Sequence, residues 1–105
     1  MSTVSARHSF SAADEAFLDD LQRRLFQYFW DQADPQTGIV PDRARTDGSA
    51  LDANHQNVGS IAATGFGLTA LCIASERRWI EPARAIERTR TTLRFFADRA
   101  FQQRG

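Results

Sequence analysis

This sequence predicts an all-α fold of about three helices. Residues 11–33 carry apolar side chains at helical spacing. Residues 60–77 form the longest run of small and apolar residues in the chain, and residues 82–100 resume helical spacing directly after a proline. Between the first two segments lie 25 residues, 34–58, without strong periodicity. A loop of that length in a compact domain is usually functional or disordered, so a site is expected there.

The first helix should open at Ser11. Asp14 follows three residues later in a weak variant of the capping box, and Asp14 and Glu15 suit the positive end of the helix dipole. Phe17, Leu18, Leu21, Leu25 and Phe29 form a stripe, widened by Phe26 and Trp30, that should dock on a core. Asp19, Asp20, Arg23, Arg24 and Gln27 fall on the other face, with Asp19 and Arg23 spaced to pair. Phe26, Tyr28, Phe29 and Trp30 cannot all face one stripe; plain packing or a place at the rim of a sugar site would accommodate the surplus ring. Asp34-Pro35 ends the helix, because a residue before proline avoids the helical region. A turn is expected at Gly38, then a short extended piece at Ile39, Val40 and Pro41, followed by Asp42-Arg43. Residues 46–57, with Asp47, Gly48, Asp52, Asn54 and His55, read as a polar loop.

The second helix, roughly Ser60 to Arg77, is apolar nearly all round and should therefore be buried among other elements. Gly65 and Gly67 lie inside it, each at a cost of about 1 kcal/mol relative to alanine. Close approach of another backbone or of a ligand would offset that cost, so core packing and a substrate wall are both open readings. Cys72 reads as a buried structural thiol. Arg77 and Arg78 suit the negative end of this helix, and Glu81-Pro82 starts the third. Ala85, Ile86, Thr89, Leu93, Phe96, Ala97 and Ala100 form its expected inward stripe, with Arg84, Arg88, Arg90, Arg94 and Arg99 mainly outside. Helices two and three should form an αα-hairpin.

At 105 residues the chain is one domain at most, and 42% hydrophobic with 25% charged residues argues against disorder throughout. The net charge is zero but uneven: residues 77–105 carry eight Arg against three acids, and there is no Lys anywhere. That basic third permits an anionic partner, while a solvated helix face is the simpler account and the one favoured here. One cysteine excludes an intrachain disulfide and a thiolate metal cluster. No segment has the 18 or more consecutive apolar residues of a membrane span. Residues 1–10 read as a disordered leader without the apolar region of a signal peptide; His8 lies there without a role, and the compartment stays open.

Phosphate-binding, dinucleotide-binding, HExxH and Gly-x-Ser-x-Gly motifs are absent from the sequence. Nothing in the spacing of Ser60, His55 and Asp52 supports a catalytic triad. No cofactor or metal is expected. Asp34, Asp42, Asp47 and Asp52 make the only acid cluster, of the residue type that glycoside hydrolysis uses in pairs.

Residues 17–43, FLDDLQRRLFQYFWDQADPQTGIVPDR, and residues 59–96, GSIAATGFGLTALCIASERRWIEPARAIERTRTTLRFF, resemble the start of the bacterial glucoamylase-like family. These (α/α)6 toroid proteins are related to endo-β-1,2-glucanases and to the matching domain of cyclic β-1,2-glucan synthases. The specific parts are YFW with TG-three residues-DR, and ATGFG with ER-x-W-I. The resemblance implies that residues 11–105 are an incomplete, N-terminal portion of a toroid of some twelve helices. It implies glucan or oligosaccharide as partner, with the acid and base carboxylates mostly on helices beyond Gly105. Family members are often periplasmic or secreted. By position, Asp42 and Arg43 match the loop pair near the cavity mouth, and Thr64 and Gly65 match the small residues starting an inner helix. All four are expected to bind substrate rather than to catalyse. Part of a glucan hydrolase, inactive alone, is the leading expectation. A non-enzymatic helical module, self-associating through an exposed apolar face, is the alternative. Nucleic-acid binding is disfavoured, because the charge is neutral and the Arg residues circle the third helix.

Overall fold

Three helices follow from local signals along the chain, and pairing of distant segments adds one short strand pair among the described residues. The computed structural model describes residues 9–52 and 58–101. His8, Asn54, His55 and most of the expected leader lie outside them. Helix α1, Ala12–Gln32, opens on a full capping box. Ser11 Oγ accepts from the Asp14 N–H, and the Asp14 carboxylate accepts from the Ser11 N–H, both at 3.1 Å. The helix stops as Ala33 turns to extended geometry, ahead of Asp34-Pro35. Asp34 then folds the chain back. Its carboxylate accepts from the Gln36 and Thr37 N–H groups, its carbonyl accepts from Gly38 N–H, and its own N–H donates to the Ile39 carbonyl. This is an Asx-type turn closed by Gly38 at φ +76°.

The returning chain forms strand β1, Val40–Pro41, paired antiparallel with strand β2, Gly59–Ser60. Ser60 also caps helix α2, Ile61–Glu76, by accepting from the Ala63 N–H. Helix α2 ends in a Schellman arrangement. The Trp79 N–H donates to the Ala74 carbonyl, the Arg78 N–H donates to that of Ser75, and Arg78 holds φ +58°. Helix α3, Pro82–Arg94, starts on Pro82, then loosens into a π-helical turn, Phe95–Arg99, instead of continuing as one helix to residue 100. Helices α2 and α3 pack as the expected hairpin.

The core sits where the three helices meet: Phe26, Leu71, Ala74 and Ala85, with Trp30, Leu68, Trp79 and Ile80 against them. Several expectations are corrected here. The α1 stripe is rotated, since Phe26 is buried while Phe17, Leu21 and Leu25 are exposed. Helix α2 is covered along one line only. Thr64, Gly67, Leu71 and Ala74 recur every three to four residues and are buried, whereas Ile61, Phe66 and Ile73 are exposed. Cys72 falls on that uncovered side and is exposed. On α3 the inward line runs through Ala85 and Thr92, and Ile86 and Leu93 are exposed. Arg88 belongs to the inner side as well. Its guanidinium lies 4.2 Å from the Trp30 ring centroid, with Arg84 at 4.8 Å, and it donates to the Trp30 carbonyl. Burial and the neighbouring Arg84 charge lower the Arg88 pKa. Asp19 pairs with Arg77 at 3.0 Å rather than with Arg23, while Arg24 pairs with Asp20. The shared cause is that helical spacing marks a stripe but not its centre; neighbouring elements choose that.

Gly67 settles one of the two glycine readings. A β-carbon there would lie 3.1 Å from Val40 Cγ2 and 3.4 Å from Phe29 Cδ1, so β1 and α1 close on it. Around Gly65 nothing lies within 4 Å. No helix among the described residues is long and apolar enough to cross a membrane.

Candidate functional site

The end of β1 is held from three directions. The Val40 N–H donates to Thr64 Oγ1 at 2.9 Å, and that hydroxyl in turn donates to the Ser60 carbonyl at 2.7 Å. Tyr28, projecting from α1, donates its hydroxyl to the Pro41 carbonyl at 2.7 Å. The Asp42 N–H donates to the Val58 carbonyl at 3.1 Å. The strand end is therefore a rigid launching point for the loop that follows. Burial raises the Tyr28 pKa, and the Asp42 carboxylate adds to the effect, so its hydroxyl remains a donor at neutral pH.

Asp42 and Arg43 stand just past this point, both exposed. Arg43 Nη2 lies 3.0 Å from Asp42 Oδ2, and Nε donates to the same oxygen at 3.2 Å. Arg43 lines a cleft of about 240 Å³ with Gln32, Pro41, Arg45, Ser49 and Leu51. Asp47 organises the loop beneath it, accepting from the Ser49 N–H at 2.9 Å and the Ser49 hydroxyl at 2.6 Å, with Arg45 Nε at 3.9 Å. The Ser49 hydrogen bonds hold the Asp47 carboxyl below the usual carboxylate range. That direction is opposite to the raised pKa that the general acid of glycoside hydrolysis needs. Asp34 is committed to its turn. The cleft is therefore a hydrogen-bonding surface: guanidinium, hydroxyl and amide groups around apolar Pro41 and Leu51, suited to a polyhydroxylated ligand.

Of the four residues singled out from the sequence, Arg43 lines this cleft, and Asp42 meets it only through its ion pair with Arg43. Thr64 is not among its lining residues; it is buried at 3% exposure, with its hydroxyl spent on Val40 and Ser60. Gly65, the next residue of α2, is exposed. His55, once considered with Ser60 and Asp52, lies outside the described residues. Gln32, Arg45 and Ser49 carried no sequence signal beyond lying in or beside the unpatterned stretch. Tyr28 did carry one, as an aromatic that could not share the core stripe. Its ring meets Phe29 edge-on at 5.4 Å and supports the loop from below.

The Thr64 hydroxyl gives a sharp test. Thr64→Val keeps the shape but strands a buried Val40 N–H, and should destabilise the chain by about 1–3 kcal/mol in urea denaturation. A loss below about 0.5 kcal/mol would show that the strand end finds another partner.

No protein-family model matches the chain. Individual proteins do. An exo-β-1,2-glucooligosaccharide sophorohydrolase (non-reducing end) of Parabacteroides distasonis is 28% identical over 86 residues, which are 82% of this chain and 11% of that protein. The solved endo-β-1,2-glucanase of Chitinophaga pinensis, in complex with sophorotriose and glucose, superposes with a TM-score of 0.74 at 30% identity. That match covers 90% of this chain and 22% of the glucanase. A glucoamylase-like protein of Bacteroides caccae gives a TM-score of 0.73 at 30% identity over 84% of this chain and 21% of its own. The chain thus spans about a tenth of the curated relative and about a fifth of the solved ones. The chain therefore resembles part of these glucoamylase-like toroid proteins, among which are glucan-hydrolysing glycoside hydrolases.

Proposed function

We propose that this chain is the N-terminal part of a glucan-hydrolysing protein, where it contributes a saccharide-binding rim and not the reactive acids. The observation that carries this reading is the 30% identity, at a TM-score of 0.74, to a glucanase solved with sophorotriose and glucose. The cleft beside Asp42 and Arg43 supports it by chemistry. Arg43 donates to sugar hydroxyls, Asp42 orients the guanidinium and accepts from them, and exposed Gly65 leaves room above α2. Thr64 acts indirectly, through the strand end that its hydroxyl holds.

The chain titrated with β-1,2-linked glucotriose should show amide NMR shifts at residues 42–51, and Arg43→Ala should weaken binding about tenfold, the worth of one hydrogen bond to a charged group. Unchanged affinity removes Arg43 from the site.

A second reading, a non-enzymatic helical interaction module, is favoured by one feature. A groove of about 720 Å³ runs between α1 and α2 past Leu25, Phe29 and Ile73. Concentration-dependent sedimentation without any saccharide-induced shifts would decide for that module.

A further inference from the structure

Asp47 is the one aspartate of the chain that precedes a glycine, and neither asparagine does. Asp47 and Gly48 are both exposed, in a turn closed by the Gly48 N–H donating to the Arg45 carbonyl at 3.1 Å. Gly48 holds φ +80°, and nothing lies within 4 Å of where its β-carbon would be. No side chain of its own therefore shields its nitrogen from the Asp47 carboxyl. Joining that nitrogen to Asp47 Cγ closes a succinimide ring. Hydrogen bonds are what restrain the pair. Asp47 Oδ1 accepts from the Ser49 N–H at 2.9 Å and from the Ser49 hydroxyl at 2.6 Å, with Arg45 Nε at 3.9 Å. The Ser49 bonds favour the ionised carboxylate, which resists nucleophilic attack; the neutral acid is the form that reacts.

We propose that Asp47–Gly48 is a self-modification site, at which Asp47 converts through a succinimide to isoaspartate, and that Ser49 is the residue that restrains the conversion. The Gly48 nitrogen attacks Cγ of the neutral acid. The N–Cγ bond forms and a Cγ–O bond breaks, and that oxygen leaves as water with the acid proton and the amide proton. Water then adds to either ring carbonyl. Opening at Cγ restores aspartate. Opening at the main-chain carbonyl leaves isoaspartate, with the backbone lengthened by running through Cβ and Cγ. Nothing is oxidised or reduced, and water is the only co-reactant. The charge is kept, but the loop that places Arg45 and Ser49 at the cleft is lengthened, whatever ligand the cleft takes.

The test ages the whole chain at neutral pH in water enriched in heavy oxygen. Incorporation is located by peptide fragmentation in the mass spectrometer, and isoaspartate by methyltransferase labelling. Both signals should accumulate at Asp47 ahead of every other aspartate. Ser49→Ala should speed them about fivefold, the worth of one hydrogen bond. Ser49→Thr, which keeps the hydroxyl, should restore the slow rate. In urea, where no turn restrains Asp47, the unaltered chain and Ser49→Ala should age alike. Gly48→Ala puts a β-carbon in the way of ring closure and should suppress the signal in both conditions. A folded chain that gains neither signal at Asp47 overturns the site. Equal rates for the folded chain and folded Ser49→Ala overturn the restraint by Ser49.

Discussion

Replacing Gly38 with alanine should destabilise the chain by about 3 kcal/mol, from left-handed backbone strain and overpacking together. Gly38 sits at φ +76°, where a β-carbon is disfavoured. An added β-carbon would also collide with Thr92 Oγ1 and lie 2.7 Å from Thr92 Cβ and 3.0 Å from its Cα. Thr92 cannot swing aside, because it is 2% exposed and its hydroxyl donates to the Arg88 carbonyl at 2.9 Å. The turn that sends the chain from α1 into β1 is thereby pressed against α3. Gly48 supplies the control. It has φ +80° but nothing within 4 Å, so Gly48→Ala should show only the backbone component, about 1–2 kcal/mol. Urea denaturation of both variants separates the two contributions. Equal losses would mean that the Gly38–Thr92 contact contributes nothing.

Phe26→Ala should cost about 3 kcal/mol, the lower end of the range for a buried aromatic. Phe26 is 5% exposed, with its ring centroid 6.1 Å from that of Trp30 and 5.7 Å from that of Trp79. It links α1 to the α2–α3 hairpin. The lower figure applies because Phe26 also borders the open groove between α1 and α2, so the vacated space is reachable by solvent. Phe17→Ala, at 65% exposure on the same helix, should leave the denaturation midpoint nearly unchanged. A comparable loss at Phe17 would show that its face is covered in solution.

The sequence-level stripes marked the right helices and misplaced what they bury. Phe17, Leu21 and Leu25 satisfy the α1 periodicity as well as Phe26 does, yet only Phe26 meets Trp79 and Leu71. Arg88 falls outside the apolar stripe expected for the third helix, but stacking on Trp30 gives its guanidinium a favourable half-buried place. At the candidate site, family motifs single out Asp42 and Arg43 as an expectation. The cleft that Arg43 lines was not legible, because it forms only where the loop at Arg45 and Ser49 lies beside the end of α1.

The sequence by itself determined the three helices, their starts, the stops of α1 and α2, and the Gly38 turn. Those features depend on atoms within about four residues, as with Ser11 and Asp14, Ser60 and Ala63, Asp34 and Thr37, and Pro82. Only the tertiary structure decided the β1–β2 pairing, the work of the Thr64 hydroxyl 24 residues from Val40, and the cleft lined by Gln32 and Arg43. Each of these brings together groups distant in the chain, and their geometry is set by how whole elements pack.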